Sequence, residues 1–257
     1  MSGNATIHRG LAAALWGLHV WLGLAGLAAA ADSRRSPTVV EFFTAQGCPA
    51  CLPVVDMVSE LARQPDVLVL SLHVDYWDYM GWKDPFAMPA STRRQRLYAS
   101  HLEKPYVYTP QLIVHGRTDV SANDWQDVLD AVHNAQKPDI APVTIERRPG
   151  QGVVVRVGAG PYDGQAMVWL VLFDSKRETY VTRGANTDQT IINTNVVRVL
   201  TPIGSWNGQP VEIPLSIKGM LPEIPDRCAV LVQGDDLGPI LGVAFMDAPP
   251  RGEQMAR

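Results

Sequence analysis

Two cysteines three positions apart, Cys48-Pro49-Ala50-Cys51, stand between a run of strand formers and a run of apolar residues at helical spacing. The preceding run, Thr38-Val39-Val40-Glu41-Phe42-Phe43, is rich in β-branched and aromatic side chains and predicts a buried strand. After the pair, Val54, Val55, Val58 and Leu61 recur on one helix face, and Pro49 stands near that helix's first position. Pro53, a few residues in, predicts a kink in the first turn. Cysteines this close cannot staple distant parts of a fold, so the pair serves something other than loop closure. At a helix start the first thiol lies beside unpaired backbone N–H groups and the positive end of the helix dipole. Both favour the thiolate, which is the nucleophile. The second thiol, one turn on, is placed to resolve a mixed disulfide by attacking the first sulfur.

The rest of the chain divides by texture. Residues 67–74 form a continuous apolar run, as a central parallel strand would. A long connection over 75–107 follows, with an aromatic segment at 75–86 and a helix expected over 90–102. Thr109-Pro110 opens a strand at 111–115, and a turn leads to a second at 118–120. A helix over 123–136 carries Trp125, Val128, Leu129 and Val132 on one face, with Ser121 or Asn123 as its cap. Pro138 to Pro142 marks a linker. Short strand-like runs then follow at 143–147, 153–157, 167–173, 179–183, 196–200, 211–215, 229–232 and 240–245, separated by Gly, Pro, Asn or Asp. The expected architecture is an α/β domain with a helical insertion over 36–137, followed by an all-β, sandwich-like domain over 141–248.

Residues 1–30 are a separate matter. His8-Arg9, an apolar stretch over 11–27 and an alanine cluster at 28–31 describe a secretory signal peptide. The alternative is an uncleaved anchor, since the apolar run approaches the roughly 20 residues of a spanning helix. Either way the mature chain is expected in the periplasm or outside the cell, touching membrane only through this segment. Such compartments let disulfides persist. The net charge of −4 and the lack of any long Lys/Arg run exclude an electrostatic footprint for nucleic acid. The third cysteine, Cys228, heads a strand-like run and reads as a buried free thiol.

The run Val39-Val40-Glu41-Phe42-Phe43, the Cys48-Pro49-Ala50-Cys51 pair and Tyr108-Thr109-Pro110 together resemble the thioredoxin superfamily over roughly residues 38–136. That resemblance implies a thioredoxin-like fold in which Cys48 attacks and Cys51 resolves. It also implies a cis Thr109-Pro110 bond that faces the pair and guides an extended substrate. Glu41 would correspond to the family's buried acid and relay a proton, although it lies one position further from the motif. The segment 75–107 is an insertion relative to a minimal thioredoxin. The intervening Pro-Ala is neither the Gly-Pro of reducing thioredoxins nor the His-containing pair of strongly oxidising periplasmic enzymes, so the direction of electron flow stays open. Phe42-Phe43-Thr44, Gln46-Gly47-Cys48, His73-Val74-Asp75-Tyr76-Trp77-Asp78, Gly81-Trp82, Asp84-Pro85-Phe86 and Arg183-Gly184-Ala185-Asn186 resemble, more closely, a bacterial family of exported thioredoxin-like proteins of unknown function.

The expected function is an exported thiol–disulfide oxidoreductase. Its redox centre would be the Cys48–Cys51 pair with no other cofactor and no bound metal. Its partners would be a protein thiol or disulfide substrate and a redox partner. The alternative is a non-catalytic binding module or a copper or zinc chaperone on the same shell, with His73 or His115 joining the two thiolates. Tyr76, Trp77 and Trp82 form the candidate substrate surface, the alternative being that they pack on one another under a long loop. Arg93, Arg94 and Arg96 read as a solvated helix face. Arg183-Gly184-Ala185-Asn186 reads as turn chemistry or as a contact at the domain interface.

Overall fold

The computed structural model describes residues 36–247, apart from 136, 139, 149–151, 217, 218 and 224. Strands β1 (Thr38–Thr44) and β2 (Val67–His73) are buried along their whole length. Strands covered on both faces carry continuous apolar runs and favour parallel pairing. These two pair in parallel from Thr38↔Val67 to Thr44↔His73. A parallel pair needs a crossover, which α1 (Leu52–Leu61) supplies. A 3-10 turn at Pro49–Cys51 leads into α1, and Pro53 sits at the helix start, where its missing N–H has no partner to lose. The 3-10 turn precedes Pro53, which the first turn of α1 accommodates.

Helix α2 (Pro89–His101) brings Tyr98 to the core on one face of the sheet, with Val39, Phe43, Leu70 and Leu72. Strands β3 (Gln111–Val114) and β4 (Thr118–Ser121) follow, with β3 antiparallel to both β1 and β4. Helix α3 (Trp125–His133) joins α1 over the opposite face, where Val54, Val58, Val128 and Val132 meet Val40, Phe42 and Val69. The cap of α3 is Asp124, whose carboxylate accepts from the Asp127 N–H, and not Ser121 or Asn123.

The strands expected over 141–248 divide between two sheets. Strands β5 (Val143–Arg148), β6 (Gly152–Val157) and β9 (Val211–Leu215) form a small antiparallel sheet in the order β5-β6-β9. Strands β7 (Ala166–Tyr180), β8 (Thr190–Trp206), β10 (Arg227–Gly234) and β11 (Ile240–Asp247) extend the first sheet into eight strands, ordered β11-β10-β7-β8-β2-β1-β3-β4. The two sheets share a core of Val155, Val157, Val168, Leu170, Leu172, Trp206, Val230 and Leu241, which is face-to-face packing of the sandwich kind. The joint between halves is β2 with β8. It has one parallel bridge, Ser71↔Val196, supported by Ser71 Oγ donating to Thr194 O (2.7 Å) and Asn195 Nδ2 donating to Val69 O (2.9 Å). Pro138 to Pro142 therefore marks a change of connectivity with no break in the large sheet.

The run expected at 167–173 and the first two residues of that expected at 179–183 belong to one strand, β7, which ends at Tyr180. Asp174 looks like a break in sequence, but here it is buried, accepting from Arg177 Nε (2.7 Å) and Arg198 Nη1 (2.9 Å). Paired in that way, a carboxylate can sit inside a sheet. The segment 1–30 read as a signal peptide lies outside the described residues. Among those described, no helix is long and apolar enough to cross a membrane.

Candidate functional site

The cysteine pair lies where β1 ends and α1 begins. Cys48 holds extended backbone at the N-cap of the 3-10 turn, and the Cys51 N–H donates to Cys48 O (3.2 Å). The two are joined as a disulfide with Cα atoms 5.4 Å apart. Cys48 is 0% and Cys51 2% exposed, whereas Pro49 and Ala50 between them are exposed. The disulfide is therefore covered, and its own turn forms part of the surface.

Across from it stands the loop before β3. Thr109-Pro110 is cis, and the Thr109 hydroxyl donates to Cys48 Sγ at 3.3 Å. Pro110 is buried, with its carbonyl accepting the Ala122 N–H. Gln95 on α2 fixes this loop by donating to Tyr108 O (2.7 Å) and to Gln111 Oε1 (2.8 Å). The Trp77 indole N–H donates to Thr109 Oγ1 (2.8 Å), and a Cβ added at Gly47 would lie 3.3 Å from Trp77 O and 3.4 Å from Trp77 Cβ. Trp77 thus spans from the Cys48 loop to the hydroxyl that touches the sulfur. Tyr76 packs beside it on the same apolar cluster as the two cysteines.

The loop that carries Cys48 is held from several sides through Gln46, which is buried. Its backbone N–H donates to Asp84 Oδ2 (2.8 Å), its side-chain oxygen accepts from the Trp82 indole (3.0 Å), and its carbonyl accepts from Asn186 Nδ2 (2.8 Å). Asp84 also accepts from His73 Nδ1 (2.6 Å) and from the Phe86 N–H (2.9 Å). Burial alone would raise the Asp84 acid. The attraction of His73 and these hydrogen bonds outweigh it and hold the carboxyl below its ordinary range.

Of the residues singled out from sequence, Cys48, Cys51, Thr109, Pro110 and Trp77 come together. Trp82 serves the same loop through Gln46, with its neighbours Tyr79 and Met80 largely exposed. Glu41, expected to relay a proton, lies in a buried ion pair. It is 1% exposed, and both of its oxygens are engaged: Arg94 Nη2 (2.9 Å) and Tyr98 Oη (2.6 Å) donate to Oε1, and Arg94 Nε donates to Oε2. Arg94 also reaches Gln233 Oε1 on β10 (2.8 Å) and lies over the Tyr98 and Trp169 rings. This corrects the reading of the three arginines: Arg93 and Arg96 are exposed, while Arg94 is buried because a buried carboxylate requires it.

His73 gives its Nδ1 to Asp84, and His115 sits at the far end of β1 from Cys48, where its Nδ1 accepts the Val39 N–H. Among the described residues, no three His, Cys, Asp or Glu side chains converge as a metal site. Cys228 is a buried free thiol, pushed up to about 11 chiefly by burial. Sequence reasoning gave no role to Asp84 or Gln46, and read Asn186 only as part of a turn or a contact at the domain interface; here it contacts the loop of Gln46 and Cys48. These are polar residues from three separate segments of the chain, and only the fold brings them to one loop.

The family described as "Protein of unknown function (DUF1223)" matches residues 39–233, and the chain belongs to it. The chain is also similar to the crystal structure of a structural-genomics target from Agrobacterium tumefaciens. The two share 29% identity over 83% of this chain and 96% of that one, with a TM-score of 0.67. No curated protein matches the chain.

Proposed function

We propose that this member of a family of unknown function is an exported thiol–disulfide exchange protein, with Cys48–Cys51 as its working pair on a thioredoxin-like arrangement of β1, α1, β2, β3, β4 and α3. The observation that carries this reading is the disulfide at the head of α1 with the Thr109 hydroxyl 3.3 Å from Cys48 Sγ. A disulfide kept only for stability would close a long loop, whereas this one joins residues only 3 positions apart.

In the reduced protein the Cys48 thiolate attacks one sulfur of a substrate disulfide. A Cys48–substrate bond forms, and the other substrate sulfur leaves as a thiolate that takes a proton. Cys51, losing its proton to solvent, then attacks Cys48 Sγ. The intramolecular disulfide closes, and the second substrate sulfur departs as a thiolate. Two electrons pass from the pair to the substrate. The reverse sequence begins when a substrate thiolate attacks Cys48 Sγ and Cys51 leaves as a thiolate. A second substrate thiolate then attacks the substrate sulfur in the mixed disulfide, freeing Cys48. The redox partner decides which direction runs. Thr109 supplies a hydroxyl donor that stabilises negative charge on Cys48, and Trp77 excludes water from the pair.

The covalent intermediate gives the test. Cys51→Ser removes the resolving thiol, so it should accumulate Cys48-linked, reductant-sensitive adducts with a disulfide-bonded test protein. Cys48→Ser should form none. Equal adduct levels in both variants, or no exchange by the wild type, would remove the reading.

A further inference from the structure

The turn between β7 and β8 carries Arg183-Gly184-Ala185-Asn186, a motif that the exchange chemistry above does not use. Asn186 is 6% exposed, and its single amide nitrogen donates to two backbone carbonyls, Gln46 O (2.8 Å) and Cys48 O (3.1 Å). An amide nitrogen has two hydrogens, so both are spent on the loop that carries the attacking cysteine. Hydrogen bonds within the turn brace it in that position, Asp188 N donating to Val181 O (2.8 Å) and Thr187 Oγ1 to Gly184 O (2.7 Å). It is also seated against the aromatic segment. Gly184 has φ +81°, and a Cβ there would stand 3.1 Å from Met80 O and 3.2 Å from Trp82 Cβ. Only glycine adopts that conformation freely and leaves room for the approach.

We infer that Asn186 is a positioning residue for Cys48, resting on the redox reading above: it fixes the Gln46–Cys48 backbone and so sets how readily Cys48 ionises in the reduced pair. The two carbonyl oxygens that accept from Asn186 belong to the Gln46–Cys48 backbone that carries the sulfur. The Asn186 N–H groups offset their negative ends and hold the peptide so that the thiol faces the start of the helix. Without them the carbonyls are uncompensated and the loop is free to turn, and both effects disfavour a thiolate. Through this residue the hairpin of the C-terminal half acts on the cysteines of the N-terminal half.

The test is the pH profile of Cys48 alkylation by iodoacetamide in the reduced full chain, with the modified cysteine located by peptide mass. Asn186→Ala should move the Cys48 midpoint upward by about one pH unit. Asn186→Asp, which keeps the shape but turns the donors into a carboxylate, should move it further. Gly184→Ala, which lifts the tip without touching the amide, should move it in the same direction. Thr187→Ser, which keeps the hydroxyl that braces the turn, should leave it unchanged. A merely structural Asn186 would lower the melting temperature and leave the midpoint in place. Folded Asn186→Asp and Gly184→Ala proteins with the wild-type midpoint would overturn the inference. Should the Asn186 variants not fold, Gly184→Ala decides. A wild-type Cys48 that ionises like an ordinary thiol overturns the redox reading instead, and the difference between variant and wild type still reports on Asn186.

Discussion

At the scale of single residues, the three cysteines differ by environment. Once the pair is reduced, Cys48 should alkylate first at neutral pH, because it stands at a helix start with a hydroxyl donor on its sulfur. Cys228, whose thiol is pushed up to about 11, should label far more slowly, because little of it is thiolate at neutral pH. Labelling followed by peptide mapping checks the order, and first reaction at Cys51 or Cys228 would contradict it. Asp84 gives a second prediction. Its folded pKa is depressed, so its stabilising effect is fully present above the unfolded value near 4 and is lost as pH falls through the folded value. Asp84→Asn should therefore cost about 2 kcal/mol at neutral pH, and the gap to wild type should close in acid below about pH 4, read by urea unfolding across pH. The cysteines and Thr109-Pro110 were legible because their chemistry is local to a short motif. Asn186 was not, since it faces Gln46 and Cys48 across 140 and 138 positions of chain. Arg94 was not legible either, because Arg93, Arg94 and Arg96 look alike until a helix turns one of them toward a buried Glu41.

Among the elements, β1, α1, β2 and both strands after Thr109-Pro110 follow from apolar runs and turn residues that act locally. The long β7 did not, because the charged stretch from Asp174 to Glu178 resembles a turn until Arg177 and Arg198 are seen to satisfy Asp174. The aromatic segment gives the testable element. Trp77 links the Cys48 loop to Thr109 by one indole hydrogen bond and half-buried apolar contact. Losing that bond corresponds to about 1 kcal/mol of closure, so Trp77→Ala should speed reduction of the disulfide by a small phosphine several-fold. Trp77→Phe, which keeps the ring and loses only the N–H, should fall between. Stopped-flow reduction measures this, and unchanged rates in both variants would show that Trp77 does not cover the pair.

For the molecule as a whole, the two halves read from composition share one eight-stranded sheet, and a buried network crosses between them: Glu41 on β1, Arg94 and Tyr98 on α2, and Gln233 on β10. Nothing in composition shows such a joint, because it rests on pairings between distant segments. Removing one partner of a buried ion pair leaves an uncompensated charge, so Arg94→Met should destabilise by about 3–5 kcal/mol. Arg94→Met with Glu41→Gln should recover part of that loss. Both halves should also unfold in one transition, and separate transitions for the 36–137 and 141–248 regions would contradict the shared core. The central claim is that Cys48–Cys51 works by exchange, and its reduction potential tests this most directly. Equilibration of the full chain with glutathione buffers should give a value between about −270 and −120 mV, the span of thiol–disulfide oxidoreductases. A value well below about −300 mV, where structural disulfides lie, would contradict the account.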